Sequence, residues 1–301
     1  MNARSYYTQR LEILYELIHQ LRLRELFFLP YKEEEDGKLK SKLPIRWLNA
    51  QFVQMLKRHW KEYGFFHKKM NIYGSLAYYK DFPLFSYDWT VKSQQQKLWN
   101  DRFQSHLKGY DLFIETDSPN IGEAWVDAKE IKKFFDEFLI SYSLKFSGSK
   151  GFHFIVRFED FAHLPLQIYD KKFMKKNVLQ LMSELPIPYD KMHKTFDLVT
   201  MFKIVAIKMK GILGADSMDT AVQDIRRVVK LAYSLDIKSG LIAYPLEDSE
   251  FDNFNKKELL PENILRKYTK RRGLIWRNNN LANYEKNQNC SRMLEYLKIT
   301  K

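Results

Sequence analysis

The chain has 301 residues, 45% of them apolar and 29% charged, which leaves room for one large domain or two small ones around a substantial core. Fifty basic against 37 acidic side chains give a formal charge of +13, favouring a polyanionic partner such as nucleic acid or nucleotides. The single cysteine, Cys290, excludes an intrachain disulfide and a cysteine-based zinc site.

Leu11, Leu14, Ile18 and Leu21 stand at helical spacing, so residues 5–22 read as an amphipathic helix, too charged for a signal peptide. ELFFLPY follows as a short strand running into the charged loop KEEEDGKLKSK. Phe52, Met55, Leu56 and Trp60 share a face and predict a second helix over 49–62. Residues 72–75 read as a strand, and 80–108 have no clear period. YDLFIETD, residues 110–117, is a strand, and a helix is expected over roughly 124–138. Between 140 and 158 two period-2 runs flank SGSKG, the pattern of a β-hairpin. Residues 160–213 mix a basic helix with an apolar segment. Within it the run Leu198–Leu213 is broken by Lys203, Lys208 and Lys210 and does not read as a membrane span. The period over Ile225–Leu235 predicts a helix, Ser239–Tyr244 a strand, and the tail from 255 is polar and basic. The expectation is a soluble, cytoplasmic protein with no membrane contact.

Three places carry chemistry. Alternation along a strand turns Glu115 and Asp117 to one face, with α-carbons roughly 7 Å apart. Two like charges so placed repel unless solvent or a cation stands between them, and Mg²⁺ commonly takes one or two carboxylates plus substrate phosphates. The other reading is a strand ending in solvated polar residues beside the Ser118-Pro-Asn120 turn. In the hairpin, His153 points away from Phe152 and Phe154. The turn Ser147–Gly151 offers hydroxyls, backbone N–H groups and one cation, the makings of an anion-binding concavity. An ordinary hairpin whose histidine bonds to a neighbour fits the same residues. On the expected helix, Arg227, Lys230 and Ser234 form a stripe opposite the apolar face, and Asp219 precedes it as a cap or a metal ligand.

In that order the blocks LFIETD at 112–117, SGSKGFHFIV at 147–156 and DTAVQDIRRVVKLAYSLDIKSGLIAY at 219–244 resemble the small catalytic subunit of archaeal and eukaryotic DNA primase, within the archaeo-eukaryotic primase superfamily. Weaker echoes are RELFFLP at 24–30, IRW at 45–47 and IYGSLAYY at 72–79. The resemblance implies a mixed α/β catalytic fold over residues 1–255: a twisted, RRM-like sheet flanked by helices, with a helical insertion near 160–213 and a basic C-terminal segment over 256–301. It makes Glu115, Asp117 and Asp219 a catalytic, metal-binding triad for Mg²⁺ or Mn²⁺. Ser147, Lys150, His153 and Lys230 would hold the nucleotide triphosphate, with Glu25 and Arg46 lining the same site. It also implies a single-stranded DNA template, NTP or dNTP substrates, and a large primase subunit as partner. No structural zinc is expected, since the family's zinc knuckle is missing.

The chain departs from the family pattern in four places. Glu115 replaces the first Asp. Ser149 and Lys150 stand where Arg is usual, and Lys keeps a point charge but not bidentate geometry. Asp236 stands where the family has His. The spacing from Asp219 to Lys230 is one residue short, which leaves Asp216 as a second candidate for the third acid. Primer synthesis by two-metal nucleotidyl transfer is the expected function. A degenerate primase-like subunit that binds nucleic acid or a partner, and a repair or mobile-element polymerase of the same superfamily, are the alternatives.

Overall fold

The computed structural model describes residues 6, 7, 9, 11–21, 23–41, 45–47, 70–79, 107–161, 198–223, 227–268 and 275–299. The predicted helix over 49–62 and most of the 160–213 stretch lie outside them. The chain begins with α1 (Leu11–Gln20), β1 (Leu26–Glu33), β2 (Leu39–Ser41), β3 (Ile45–Trp47), β4 (Met70–Ser75), β5 (Ala77–Tyr79) and β6 (Leu107–Tyr110). It continues through β7 (Leu112–Asp117), α2 (Ile121–Glu137), β8 (Tyr142–Phe146), β9 (Gly151–Val156), α3 (Leu198–Leu213) and β10 (Met218–Asp219). β11 (Val228–Lys230), α4 (Asp248–Asp252), α5 (Pro261–Lys267), β12 (Trp276–Arg277) and α6 (Asn283–Tyr296) complete the described elements. The fold is mixed α/β. No helix among the described residues is long and apolar enough to cross a membrane.

Two compact units divide the chain: Met1–Gly109 with Leu144–Gly151 and Arg226–Ile275, and Tyr110–Ser143 with Phe152–Ile225 and Trp276–Lys301. The first unit is built on a sheet in the order β11-β4-β1-β2, with β3 also paired to β1. Antiparallel register sets Phe27 and Lys230 on either side of Tyr73, and Leu29 opposite Asn71. Since opposed residues share a face, Lys230, Tyr73, Asn71 and Tyr31 emerge on the same side of the sheet. On the other side, Leu26, Phe28, Ile72 and Val229 are buried. Gly74 sits where backbone and neighbours close in: a β-carbon there would lie 2.7 Å from Leu231 and 3.2 Å from Leu21. Ile13, Leu17 and Leu21 form the buried face of the N-terminal helix region.

Of the helix expected over Ile225–Leu235, the described residues 227–235 form instead a strand followed by turns. Val228–Lys230 pairs with β4, and every residue from Val229 to Asp236 is buried. A segment buried on all sides loses the contrast between faces on which a period argument rests, so apolar spacing cannot separate helix from strand there. The β-branched pair Val228-Val229 suits the pleated sheet. Ser234 consequently donates from Oγ to the Leu231 carbonyl at 2.7 Å rather than extending a basic stripe.

The second unit is organised on the sheet β10-β7-β9-β8-β12. Asn120 caps α2 by accepting the Gly122 N–H at 3.0 Å, and Ala124, Ala128, Ile131, Phe134 and Phe135 form the buried face of the helix. Phe135, Tyr142 and Phe154 pack ring to ring at 5.3–5.9 Å. Toward the C-terminus, Trp276 pairs across from Ser143, and α6 packs against a 3₁₀ turn at Phe158–Phe161.

That turn buries Asp160, 6% exposed, whose Oδ2 has no hydrogen-bond partner among the described residues. Burial pushes its carboxyl from 3.8 up to about 6, against the opposing pull of Lys286 and Arg157 and with help from Glu159 and Asp111. The same burial, aided by the Asp160 charge, raises the Cys290 thiol. A carboxyl that holds its proton more tightly when folded loses stability as pH rises from its unfolded to its folded value. Stability should therefore fall between pH 3.8 and about 6 and remain lower above that. Asp160→Asn should raise the unfolding midpoint at pH 7.5, by on the order of 2 kcal/mol, and flatten this limb. Thermal unfolding monitored from pH 4 to 8 checks both.

Candidate functional site

β7 and β10 meet in antiparallel register, with Thr116 opposite Met218 and Glu115 opposite Asp219. The Asp117 N–H extends the ladder to the Ser217 carbonyl at 2.8 Å. Opposed residues of such a pair lie on one face, about 5 Å apart at the α-carbons, and strand alternation adds Asp117 to it. Three carboxylates thus share one face of neighbouring strands. Glu115 and Asp219 are half-buried and Asp117 is exposed. Asp216, the alternative third acid, sits exposed in the turn before β10.

His153 on β9 points to the same group. Its Nε2 lies 3.1 Å from Glu115 Oε1, and its ring stands edge-on to Phe113 with centroids 4.9 Å apart. A carboxylate oxygen accepts, so Nε2 carries the proton of this bond. The ring is 5% exposed. Asp219 Oδ1 accepts the Ala221 N–H at 2.8 Å, closing a local turn after the strand. Three hard oxygen donors on adjacent strands suit Mg²⁺ or Mn²⁺. Among the described residues, however, no three His, Cys, Asp or Glu side chains are gathered as a ligand set. Glu115 turns instead to His153, and Asp219 to its own turn.

Two side chains that motif reasoning missed hold β10. Lys210 Nζ donates to the carbonyls of Asp216 and Met218, both at 2.9 Å, and Asp127 Oδ2 accepts the Ser217 N–H at 2.7 Å. Each is one of several charges on its helix, and nothing in its local spacing marks it.

The other expected residues belong to the first unit. Ser147 is buried, and its Oγ accepts the N–H groups of Ser149 at 3.3 Å and Gly151 at 3.2 Å. Those two N–H groups, expected to cradle an anion, are thus spent within the turn. Gly148 adopts φ +86°, and a β-carbon there would meet the Ala243 nitrogen at 3.1 Å. Lys150 is exposed at the tip. Glu25 is fully buried just before β1, exchanging backbone bonds with Ser75: its N–H reaches Ser75 Oγ at 2.9 Å and its carbonyl the Ser75 N–H at 3.0 Å. Arg46 lies in β3 opposite Phe27.

Lys230 is not on an exposed helix stripe. Its ammonium is buried and ion-paired to Asp236 Oδ2, which also accepts from Asn71 Nδ2 at 3.1 Å. Asp236 Oδ1 accepts the N–H groups of Lys238 at 3.0 Å and Ser239 at 2.8 Å. Asn71 Oδ1 in turn accepts the Ile237 N–H at 2.8 Å. Lys145, also buried, donates to the Lys230 carbonyl at 2.7 Å. Burial pushes the Asp236 carboxyl up, but the Lys230 charge with hydrogen bonds from Lys230 and Ser239 outweighs it and holds the group below its ordinary value. Burial raises the Tyr31 and Tyr73 phenols beside it.

Removing one partner of a desolvated pair strands the other, so Lys230→Met or Asp236→Asn alone should each cost about 3–5 kcal/mol. The double replacement Lys230→Met/Asp236→Leu should cost less than their sum. The depressed Asp236 value adds stability that is full above pH 3.8 and lost as pH falls through the folded value, and either single variant should weaken that acid limb. Urea unfolding of the four proteins at pH 7 and pH 3 measures these differences.

No family model matches the chain, and no curated protein matches it. Among solved structures it is similar to the polymerase domain from Mycobacterium tuberculosis Ligase D in complex with DNA, at 10% sequence identity and a TM-score of 0.48, with 88% of each chain covered.

Proposed function

We propose that the chain is a nucleotidyltransferase of the primase type, making short RNA or DNA primers on single-stranded DNA from NTPs or dNTPs. The observation that carries this reading is the register of β7 against β10, which sets Glu115, Asp117 and Asp219 on one face with His153 bonded to the first of them. On this reading the three carboxylates hold Mg²⁺ or Mn²⁺. Such ions, when bound, activate an attacking 3′-hydroxyl and neutralise the leaving pyrophosphate.

The chain's own residues then divide the remaining work. On this reading Glu115 turns to the ion and leaves the His153 Nε2–H, aimed by Phe113, for a phosphate oxygen. Lys150, exposed on the hairpin turn, supplies a point charge for the triphosphate. Ser147 shapes that turn by tying up its N–H groups. No protein nucleophile is needed. The excess of Lys and Arg attracts the template backbone, with affinity that weakens as salt rises.

A second reading is a degenerate primase-like subunit that binds nucleic acid or a partner without turnover. The Lys230–Asp236 pair favours it, because the cation expected to meet phosphate is already neutralised inside the fold.

The test is primer synthesis with single-stranded template, Mn²⁺ and labelled NTPs or dNTPs, with and without a supplied primer and a large primase subunit. Wild-type protein should give product without a primer, and Asp117→Ala should reduce it at least about 100-fold, the upper end of what loss of a group around a metal costs. Extension of a supplied primer alone indicates a polymerase. No product in any arm, from a protein that still binds the template, favours the degenerate subunit.

A further inference from the structure

We infer that Lys210 and Asp127 are positioning residues that hold the third carboxylate, Asp219, in register with Glu115. This rests on the reading of Glu115, Asp117 and Asp219 as ligands of a divalent cation.

β10 has only two residues, Met218 and Asp219, and lies at the edge of its sheet. A strand so short makes too few ladder bonds to fix its own place, and such elements open locally at little cost. The chain reaches it through a turn after α3 in which Gly214 takes φ +62° and the Met218 N–H bonds back to the Ala215 carbonyl at 3.0 Å. Two helices brace this turn from different directions. Lys210, in the last turn of α3, spans Asp216 and Met218 with one ammonium. Asp127, in the middle of α2, takes the Ser217 N–H in a charge-assisted bond.

Between them, three consecutive residues before Asp219 are tied by their main chain, and none of the ties uses the Asp219 side chain. The carboxylate itself engages the Ala221 N–H through Oδ1, and these three ties make no demand on Oδ2. Groups that orient ligands from behind are worth about 10- to 100-fold in metal affinity.

The experiment measures Mn²⁺ binding to the full chain by the electron paramagnetic resonance of free Mn²⁺, together with hydrogen exchange over residues 112–118 and 214–221. Lys210→Met and Asp127→Ala should each weaken Mn²⁺ binding about 10-fold and speed exchange at Ser217 and Asp117. Lys210→Arg, which keeps charge and donors, should recover most of the affinity, and exchange in β8 and β9 should be unchanged. Should Lys210→Met not fold, Asp127→Ala carries the same comparison. Mn²⁺ binding that Asp117→Ala abolishes but both variants leave intact overturns this inference alone, as does unchanged exchange at Ser217. Wild-type protein that binds no Mn²⁺ overturns the metal reading, and this inference with it.

Discussion

The pairing of Thr116 with Met218 determines where the carboxylates stand. Both side chains are fully buried, opposite one another on the core side of β7 and β10. Slipping β10 by one residue would drive Asp219 into that core and expose Met218. Burying a methionine contributes about 2 kcal/mol, and burying a carboxylate without a partner costs more than that. An apolar side chain therefore selects the face on which the acid emerges, and Glu115 and Asp219 meet because Met218 points the other way.

Buried or half-buried charges find partners within their own unit. In the second, Glu115 accepts the His153 N–H. In the first, Asp236 receives four donors: the Lys230 ammonium, the Asn71 amide and the N–H groups of Lys238 and Ser239. Those are the donors of an anion site, and the occupant is a side chain of the same loop. The sheet builds most of it, since Lys230 opposite Tyr73 and Asn71 two residues along β4 are brought together by alternation alone. The substitution of Asp for the histidine usual at this position of the resembling family is thus matched by its surroundings rather than left as a stray negative charge.

What could be read from sequence followed the range of the interactions. The 140–158 hairpin was legible because period-2 alternation is a local property, and it also fixed the direction of His153. The partner of His153 was not, because Glu115 is 38 residues away and only the sheet order brings them together. Residues 229–235 misled because complete burial removes the polar face that a period needs. Lys210 and Asp127 were invisible for a different reason. Their bonds go to main-chain groups, which are the same whatever the residue, so no pairing of side-chain types betrays them.

The balance at Lys230 also bears on where a nucleotide's phosphates would be met in the first unit. A phosphate arriving at Lys230 would have to displace a carboxylate that is tethered six residues away, buried, and held by three further donors. A ligand shifts such an equilibrium only by the difference between its affinities for the two states. An incoming phosphate would also leave Asp236 stranded without its counter-charge, at the cost that makes a broken buried pair expensive. Lys150 stands exposed at the turn, where ion pairing is weak and readily exchanged. On the proposed function Lys150 therefore suits the triphosphate better than Lys230, the cation that closes the fold around Asp236.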